Sequence, residues 1–279
     1  SNVGSQTASI NSQGQIYRME ISTGEPIHYK DTKGEYKEVD TNVVVDETEE
    51  YSFRNAAGAY IFRAAKNLFG GVEFTNEKGK ICRFGLSGVE GVELRDAIGV
   101  ADKNKVIYKN IYPNADLEFT LTGSGVRTEI VAKNKSARQS SYQFDLYSCE
   151  LDFQKPQVVV PALGVSVDAI EQIKDDRVNV EKVQNGTVIS AQNIAVKALK
   201  ITPKYSDIDV SSGGLVDRLQ SIVTGQERRT LSDTDEVRID PTLSTWIYSG
   251  ISDKNNVGRY TDHLYYVGTI EGREDSRTF

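Results

Sequence analysis

KVIYKNIYPNADLEFTLTGSGVRTEIVAKNKSARQSSYQFDL, residues 105–146, decides the fold class of this chain. Leu117, Phe119 and Leu121 fall on one side of an extended segment, with Glu118 and Thr120 on the other. Thr122-Gly123-Ser124-Gly125 supplies the permissive backbone of a reversal. Alternation resumes beyond it: Val126, Thr128 and Ile130 point one way, Arg127 and Glu129 the other. After the polar loop 133–139, Tyr142, Phe144 and Leu146 repeat the pattern. The stretch therefore predicts a central antiparallel meander, 105–146, with one buried and one wet face. No nucleophile, base or metal cluster lies along it.

Outward from this stretch, the same period governs most of the chain. Ile16 to Ile21 alternates, Gly24-Glu25-Pro26 turns, and residues 27–30 extend again. Asp31-Thr32-Lys33-Gly34 reads as a type I turn closed by a glycine at positive φ, with a returning strand from Glu35 to Val39. Asn76-Glu77-Lys78-Gly79 repeats the device between Val72–Thr75 and Lys80–Leu86. Between the two hairpins, Gly58, Tyr60 and Phe62 favour a strand over the helix that the Ala-Ala pairs suggest. Gly85 to Gly99 reads as a connection or edge segment, and Tyr112-Pro113-Asn114-Ala115-Asp116 as a corner after the strand Lys105–Ile111.

Beyond Leu151 the texture changes. Pro156 and Pro161 bracket an apolar strand, Val158-Val159-Val160. Val165 to Lys174 is expected to be helical, capped by Ser166 or Asp168. Asn185-Gly186 signals a hairpin between Val178–Val183 and Thr187–Ser190, and Ala195 to Thr202 is a strand ending at Pro203. Leu215, Leu219 and Ile222-Val223 predict a short amphipathic helix within Gly213–Gly225. The expected organisation is a flexible segment 1–15, a β-rich module 16–154, a second β-rich module with short helices 155–232, and a further β segment 233–279, with joints near Gln154 and Asp233.

With 279 residues, the chain exceeds one small domain and fits two with a partial third. Charged residues make up 26% and hydrophobic residues 38%, a balance that keeps a chain soluble and still fills a core. The net charge of -7 argues against sequence-independent nucleic-acid binding, which needs Lys and Arg to neutralise phosphates. No apolar run approaches bilayer length. The polar start, SNVGSQTASINSQGQ, lacks the regions of a signal peptide, so the chain is expected to be cytosolic or a mature form. Cys82 and Cys149 are able to pair if their strands are neighbours in an oxidising compartment, but two independent buried thiols are the expected state. With only two histidines, His28 and His263, a zinc site is not expected.

Two stretches carry a family resemblance. GEPIHYKDTKGEYKEVDTNVV (24–44), VIYKNIYPNADLEFTLTGSGVRTEIVAKNKSA (106–137) and YQFDL (142–146) resemble the region preceding the DNRLRE domain of wall-associated and Rhs-repeat surface proteins, mostly of Gram-positive bacteria. Tyr36 stands where that family usually has Trp, and Thr128 stands in its "KE" position. Residues 236–279 resemble the opening of the DNRLRE domain itself, through Asp240-Pro241-Thr242, Asn256 with Gly258, Leu264 with Val267-Gly268, and Ser276-Arg277-Thr278-Phe279. The resemblance implies a longer parent polypeptide and a secreted or cell-surface location.

Candidate sites are few. Trp246, Tyr248, Tyr260, Tyr265 and Tyr266 are aromatic rings with polar edges, as in a sugar-stacking platform or a sandwich core. Asp253, Asn255 and Asp262 are hard oxygen donors for calcium, without the spacing of an EF-hand; Asp207, Asp209, Asp233 and Asp235 are a weaker set. Glu49-Glu50 and Asp175-Asp176 adjoin in sequence and so face opposite ways on a strand, which is poor for acid–base pairing. Ser140-Ser141 and Ser211-Ser212 lack a partnered histidine. The glycosylation sequons at Asn134 and Asn185 are read as incidental.

The sequence thus predicts a mainly β protein: antiparallel β-sandwich or meander modules, one or two short helices, and an incomplete jelly-roll start at the C-terminus. The expected function is a non-catalytic structural or presentation segment of a large secreted bacterial surface protein, positioning downstream adhesive or toxin regions. The alternative is a carbohydrate-binding module for wall or host glycans. No cofactor, nucleic acid or membrane span is expected. The expected partner is the rest of its own polypeptide.

Overall fold

The structure, a computed structural model, describes residues 6–10, 16–20, 26, 28–48, 50–76, 79, 81–147, 155–184, 187–211, 230–242, 265–270 and 273–278. Its first strands form two hairpins, β1 (Gln6–Ile10) with β2 (Ile16–Glu20) and β3 (His28–Lys30) with β4 (Tyr36–Glu38). In the second, Gly34 stands at φ 80° and donates its N–H to the Asp31 carbonyl at 2.9 Å, the turn predicted from the sequence.

Next come β5 (Asp40–Val45), β6 (Phe53–Ala57), β7 (Ile61–Ala64), β8 (Val72–Thr75) and β9 (Ile81–Val89). Then β10 (Gly99–Asp102), β11 (Lys105–Tyr112), β12 (Ala115–Leu121), β13 (Val126–Ala132) and β14 (Tyr142–Tyr147) complete the first half. The remainder supplies β15 (Gln157–Val160), β16 (Val165–Asp168), the long hairpin β17 (Ile170–Gln184) and β18 (Thr187–Thr202), helix α1 (Tyr205–Ser211), β19 (Val237–Asp240) and a hairpin of β20 (Tyr265–Ile270) with β21 (Arg273–Thr278).

Two large antiparallel sheets result, consistent with a β-sandwich. One has the order β10-β11-β12-β13-β19-β15-β16, the other β17-β18-β14-β9-β8-β7-β6-β5. Phe119 of the first sheet lies 5.7 Å from the Phe62 ring and 6.1 Å from the Phe84 ring of the second, and 6.1 Å from Tyr108 beside it. Offset and edge contacts of this kind suit aromatic quadrupoles. Leu117, Leu121, Ile130, Phe144 and Leu146 are buried in the same core.

The structure departs from the sequence-based expectations in several places. The meander holds for β11, β12 and β13, but β14 leaves it and joins the opposite sheet between β18 and β9. Tyr142, Phe144 and Leu146 are buried as predicted, facing the meander instead of extending it. Val165 to Lys174 is not helical: it forms β16 and the start of β17, with Val165, Val167 and Ala169 buried and Ser166 and Asp168 exposed between them. That is a period of two, which a helix cannot satisfy. Residues 85–89 belong to β9 and pair with β14 through Gly85, Leu86, Gly88 and Val89, while the ladder with β8 covers only Ile81–Phe84. The helix expected within 213–225 and the turn residues Asn185-Gly186 lie outside the described residues.

The two-thiol expectation is also corrected, because Cys82 is disulfide-bonded. Its strand β9 pairs with β14, with Arg83 opposite Tyr147; Cys149 lies outside the described residues. The joints expected near Gln154 and Asp233 do not separate sheets. β14 pairs with β18 across the first, and β19 lies between β13 and β15 across the second.

Thr128 stands on β13 opposite Phe119, fully buried, and its hydroxyl makes no hydrogen bond among the described residues. A buried donor without a partner forfeits its hydration for nothing. Thr128→Val is therefore expected to raise the unfolding free energy by about 1 kcal/mol. Urea denaturation of the two proteins checks this, with an unchanged m-value.

Candidate functional site

The residues that the sequence singled out for ligands lie mostly beyond the described part. Trp246, Tyr248 and Tyr260, the sugar-platform candidates, and Asp253, Asn255 and Asp262, the calcium candidates, are all outside it. Tyr265 and Tyr266 lie on β20, opposite Thr278 and Arg277. The weaker acidic set is dispersed. Asp207 and Asp209 are in α1, Asp233 pairs with Lys135 at 3.0 Å, and an Asp235 oxygen accepts the Ser232 N–H at 2.8 Å. Among the described residues no three His, Cys, Asp or Glu side chains gather as a metal site would require. His28 sits half-buried on β3 opposite Glu38.

Two polar constellations do form. The first lies on the outer face of the seven-stranded sheet. Glu118 of β12 and Glu129 of β13 are directly opposite in register. Their side chains are only 12% and 9% exposed. Like charges placed so repel, and burial strengthens the repulsion. Arg238, arriving on β19, resolves the conflict: its Nη1 lies 3.2 Å from Glu118 and 3.0 Å from Glu129, and its Nε donates to Glu236 at 2.7 Å. Lys105 adds a second cation at 2.8 Å from Glu118. Burial pushes the Glu118 carboxyl up, but the Lys105 hydrogen bond and the Arg238 charge outweigh it and hold it below the ordinary range. The wet face predicted for the meander is thus partly closed by ion pairs. Lys133 likewise covers the buried Asp116 at 2.8 Å.

The sequence carried half of this signal. Glu118 and Glu129 are visible as matched outward positions across the Thr122–Gly125 reversal; Arg238, 109 and 120 positions away, is not. Segment 230–242 is tied down further upstream. The Arg138 guanidinium donates to the Ser232 carbonyl at 2.5 Å and the Asp235 carbonyl at 2.9 Å, and the Lys135 N–H donates to the Asp233 carbonyl at 2.8 Å.

The second constellation is an open hollow of about 270 Å³ on the eight-stranded sheet, lined by Gly88, Val89, Glu90, Ser141, Gln143 and Lys200. It sits where the β9–β14 register slips at Gln143/Phe144. The Ser141 hydroxyl donates to Glu90 at 2.7 Å, and Lys200 stands 3.9 Å from the same oxygen. The hydrogen bonds from Ser141 and Ser140 and the Lys200 charge keep the Glu90 carboxyl below its usual range. A Cβ on Gly88 would meet nothing nearer than the Gln143 Cβ at 3.9 Å, so glycine is not required there by packing.

In the second constellation the Ser141 hydroxyl meets the Glu90 carboxylate, and no histidine is among the residues lining the hollow. No family model, curated protein or solved structure matches the chain.

At the end of β19, Asp240 is mostly removed from solvent, and burial pushes its carboxyl up to about 6 despite the Thr242 N–H it accepts at 2.6 Å. A folded pKa above the unfolded value of 3.8 means that the native state takes up a proton as pH falls through 6. The contribution of Asp240 to stability is therefore fully present below about pH 4 and is lost as pH rises through 6. Asp240→Asn keeps the acceptor and removes the charge. It is expected to stabilise the protein by about 1–3 kcal/mol at pH 7.5 and by almost nothing at pH 4. Thermal melts across this range measure the difference.

Proposed function

We propose that this chain is a non-catalytic structural and presentation segment of a large secreted bacterial surface protein, holding downstream adhesive or toxin-bearing regions in place. The observation that carries the reading is the position of β19. The strand leading to the chain beyond Thr242 is no tail on the surface but an interior strand of the seven-stranded sheet, paired on both sides. A polypeptide continuing from it is attached to the core of a folded body. The disulfide at Cys82 supports an oxidising location, since such bonds persist outside the cytosol. The resemblance of residues 24–146 and 236–279 to DNRLRE-associated surface proteins points the same way.

The test is made on the cells that produce the protein. Protease shaving of intact cells is expected to release peptides of this chain, and alkylation without reductant is expected to leave Cys82 unlabelled. Retention inside shaved cells with a freely alkylated Cys82 would overturn the proposal.

The hollow beside Gly88 favours a second reading, as a glycan contact. A carboxylate, an ammonium, an amide and a hydroxyl around one opening suit a neutral ligand that both donates and accepts hydrogen bonds, which is what a pyranose offers. N-acetylglucosamine oligosaccharides, standing for wall glycans, and lactose, for host glycans, are the probes. Binding that shifts the Gly88, Ser141 and Gln143 amide resonances and disappears in Gly88→Val supports it. Loss in Trp246→Ala or Tyr248→Ala instead moves the contact to the C-terminal aromatic cluster, and no shift with either sugar removes the reading.

A further inference from the structure

We infer that β19 is a mechanical anchor: load applied to the chain beyond Thr242 is borne by a doubly paired strand in shear and locked by Arg238. The inference rests on the proposed presentation role and adds how the load is carried.

Register fixes the geometry. β19 pairs with β13 through Ile130–Ile239, Val131–Arg238 and Ala132–Val237, and with β15 through Gln157–Asp240, Val158–Ile239 and Val159–Arg238. An interior strand has no free edge from which rungs peel in turn, so both ladders must fail together. The direction of load matters as well. β19 exits at Asp240, opposite Gln157, whereas β15 exits at Val160, at the other end of the same ladder. A pull between the two exits slides the strands past one another and loads every rung at once. Val237 and Ile239 are fully buried, so sliding also drags apolar side chains through the core.

Arg238 sits at the middle of this ladder on the outer face. One guanidinium reaches Glu118 on β12, Glu129 on β13 and Glu236 ahead of its own strand. Withdrawing β19 pulls the cation away from two facing carboxylates, so the repulsion returns just as the rungs break. Upstream, Arg138 and Lys135 grip Ser232, Asp233 and Asp235, a second hold that is loaded only after β19 has moved.

The test pulls single molecules of the full chain in two geometries. One handle is attached through a click-reactive residue at the exposed Ala162, in the turn after β15. The other is placed either at the C-terminus, so that the covalent segment between the handles includes β19, or at the exposed Ser206, so that it does not. Arg238→Ala is expected to raise the rupture rate at fixed force by about tenfold or more in the first geometry and by less than about threefold in the second. Arg238→Lys keeps the charge but loses the fork that spans several carboxylates, so it is expected to fall between wild type and Arg238→Ala. It also serves if Arg238→Ala does not fold. Lys197→Ala, which removes an exposed pair with Asp175 on the other sheet, is the control and is expected to change neither rate by more than about twofold. Equal acceleration in both geometries would show that Arg238 merely stabilises the fold, and the anchor would be refuted. These measurements use purified protein, so they stand apart from whether the chain reaches a cell surface.

Discussion

Two largely buried carboxylates facing each other across β12 and β13 set the condition that the rest of the seven-stranded sheet meets. Glu118 and Glu129 repel one another across the ladder, and Arg238 brings a cation whose planar fork reaches several acceptors. Removing one partner from such a cluster costs about 3–5 kcal/mol, a large share of what a domain has. The consequence runs through the topology. β13 and β15 do not pair with each other but each with β19, so the hairpin of β15 and β16 joins the meander only through that strand. Four residues from late in the chain therefore complete a sheet whose other strands precede them by at least sixty-odd positions.

The two sheets are held to one another by apolar packing and by tyrosine hydroxyls placed at its margins. Tyr60 donates from the eight-stranded side to the Thr122 and Gly125 carbonyls at 2.7 and 2.9 Å, fastening the reversal between β12 and β13. Tyr108 donates in the other direction, to the Ala65 carbonyl at 2.6 Å, and Tyr112 to the Ala137 carbonyl at 2.9 Å. A phenol suits this position because its ring fills core volume while its tip satisfies a carbonyl that would otherwise be buried alone. At the end of the sandwich, Tyr205 of α1 reaches the Gln139 carbonyl at 2.9 Å and lies 3.3 Å from the Tyr142 hydroxyl. The helix is thereby docked on the loop that carries the chain from one sheet to the other.

How much of this was legible in the sequence depends on the range of each interaction. Turn chemistry is local, so the glycines closing the Asp31 and Asn76 turns stand at φ 80° and 75° as their sequences require. Side-chain alternation is nearly local, so the buried faces of β12, β13 and β14 were readable. Alternation names a face, however, and not a neighbour: Tyr142, Phe144 and Leu146 pack equally well from either layer, and the switch of β14 between sheets left no mark in its own residues. Val165 to Lys174 failed for a related reason. Its apolar residues are sparse enough to fit a helical or an extended period, and only pairing with β15 and β18 selects the strand. Arg238 and the Cys82 disulfide are long-range facts, invisible to any window that does not contain both partners. Of the candidate sites, the aromatic and acidic residues chosen for their chemistry lie mostly outside the described residues, while the groups that do converge are ordinary surface types until the fold collects them.

The corner at Asp240-Pro241-Thr242 shows how an exit from a sheet is fixed. Pro241 has no N–H to offer either neighbour, which ends pairing at that residue. Thr242 then adopts φ 56°, a left-handed conformation that costs a β-branched residue energy. Such strain persists only where the surroundings leave no alternative, and here the Asp240 carboxylate accepts the Thr242 N–H while the Thr242 hydroxyl donates to the Pro241 carbonyl at 2.8 Å. The chain accepts a strained residue and a mostly buried carboxylate within three positions. In return, the direction in which it leaves β19 is determined by covalent and hydrogen-bonded geometry instead of by a slack linker.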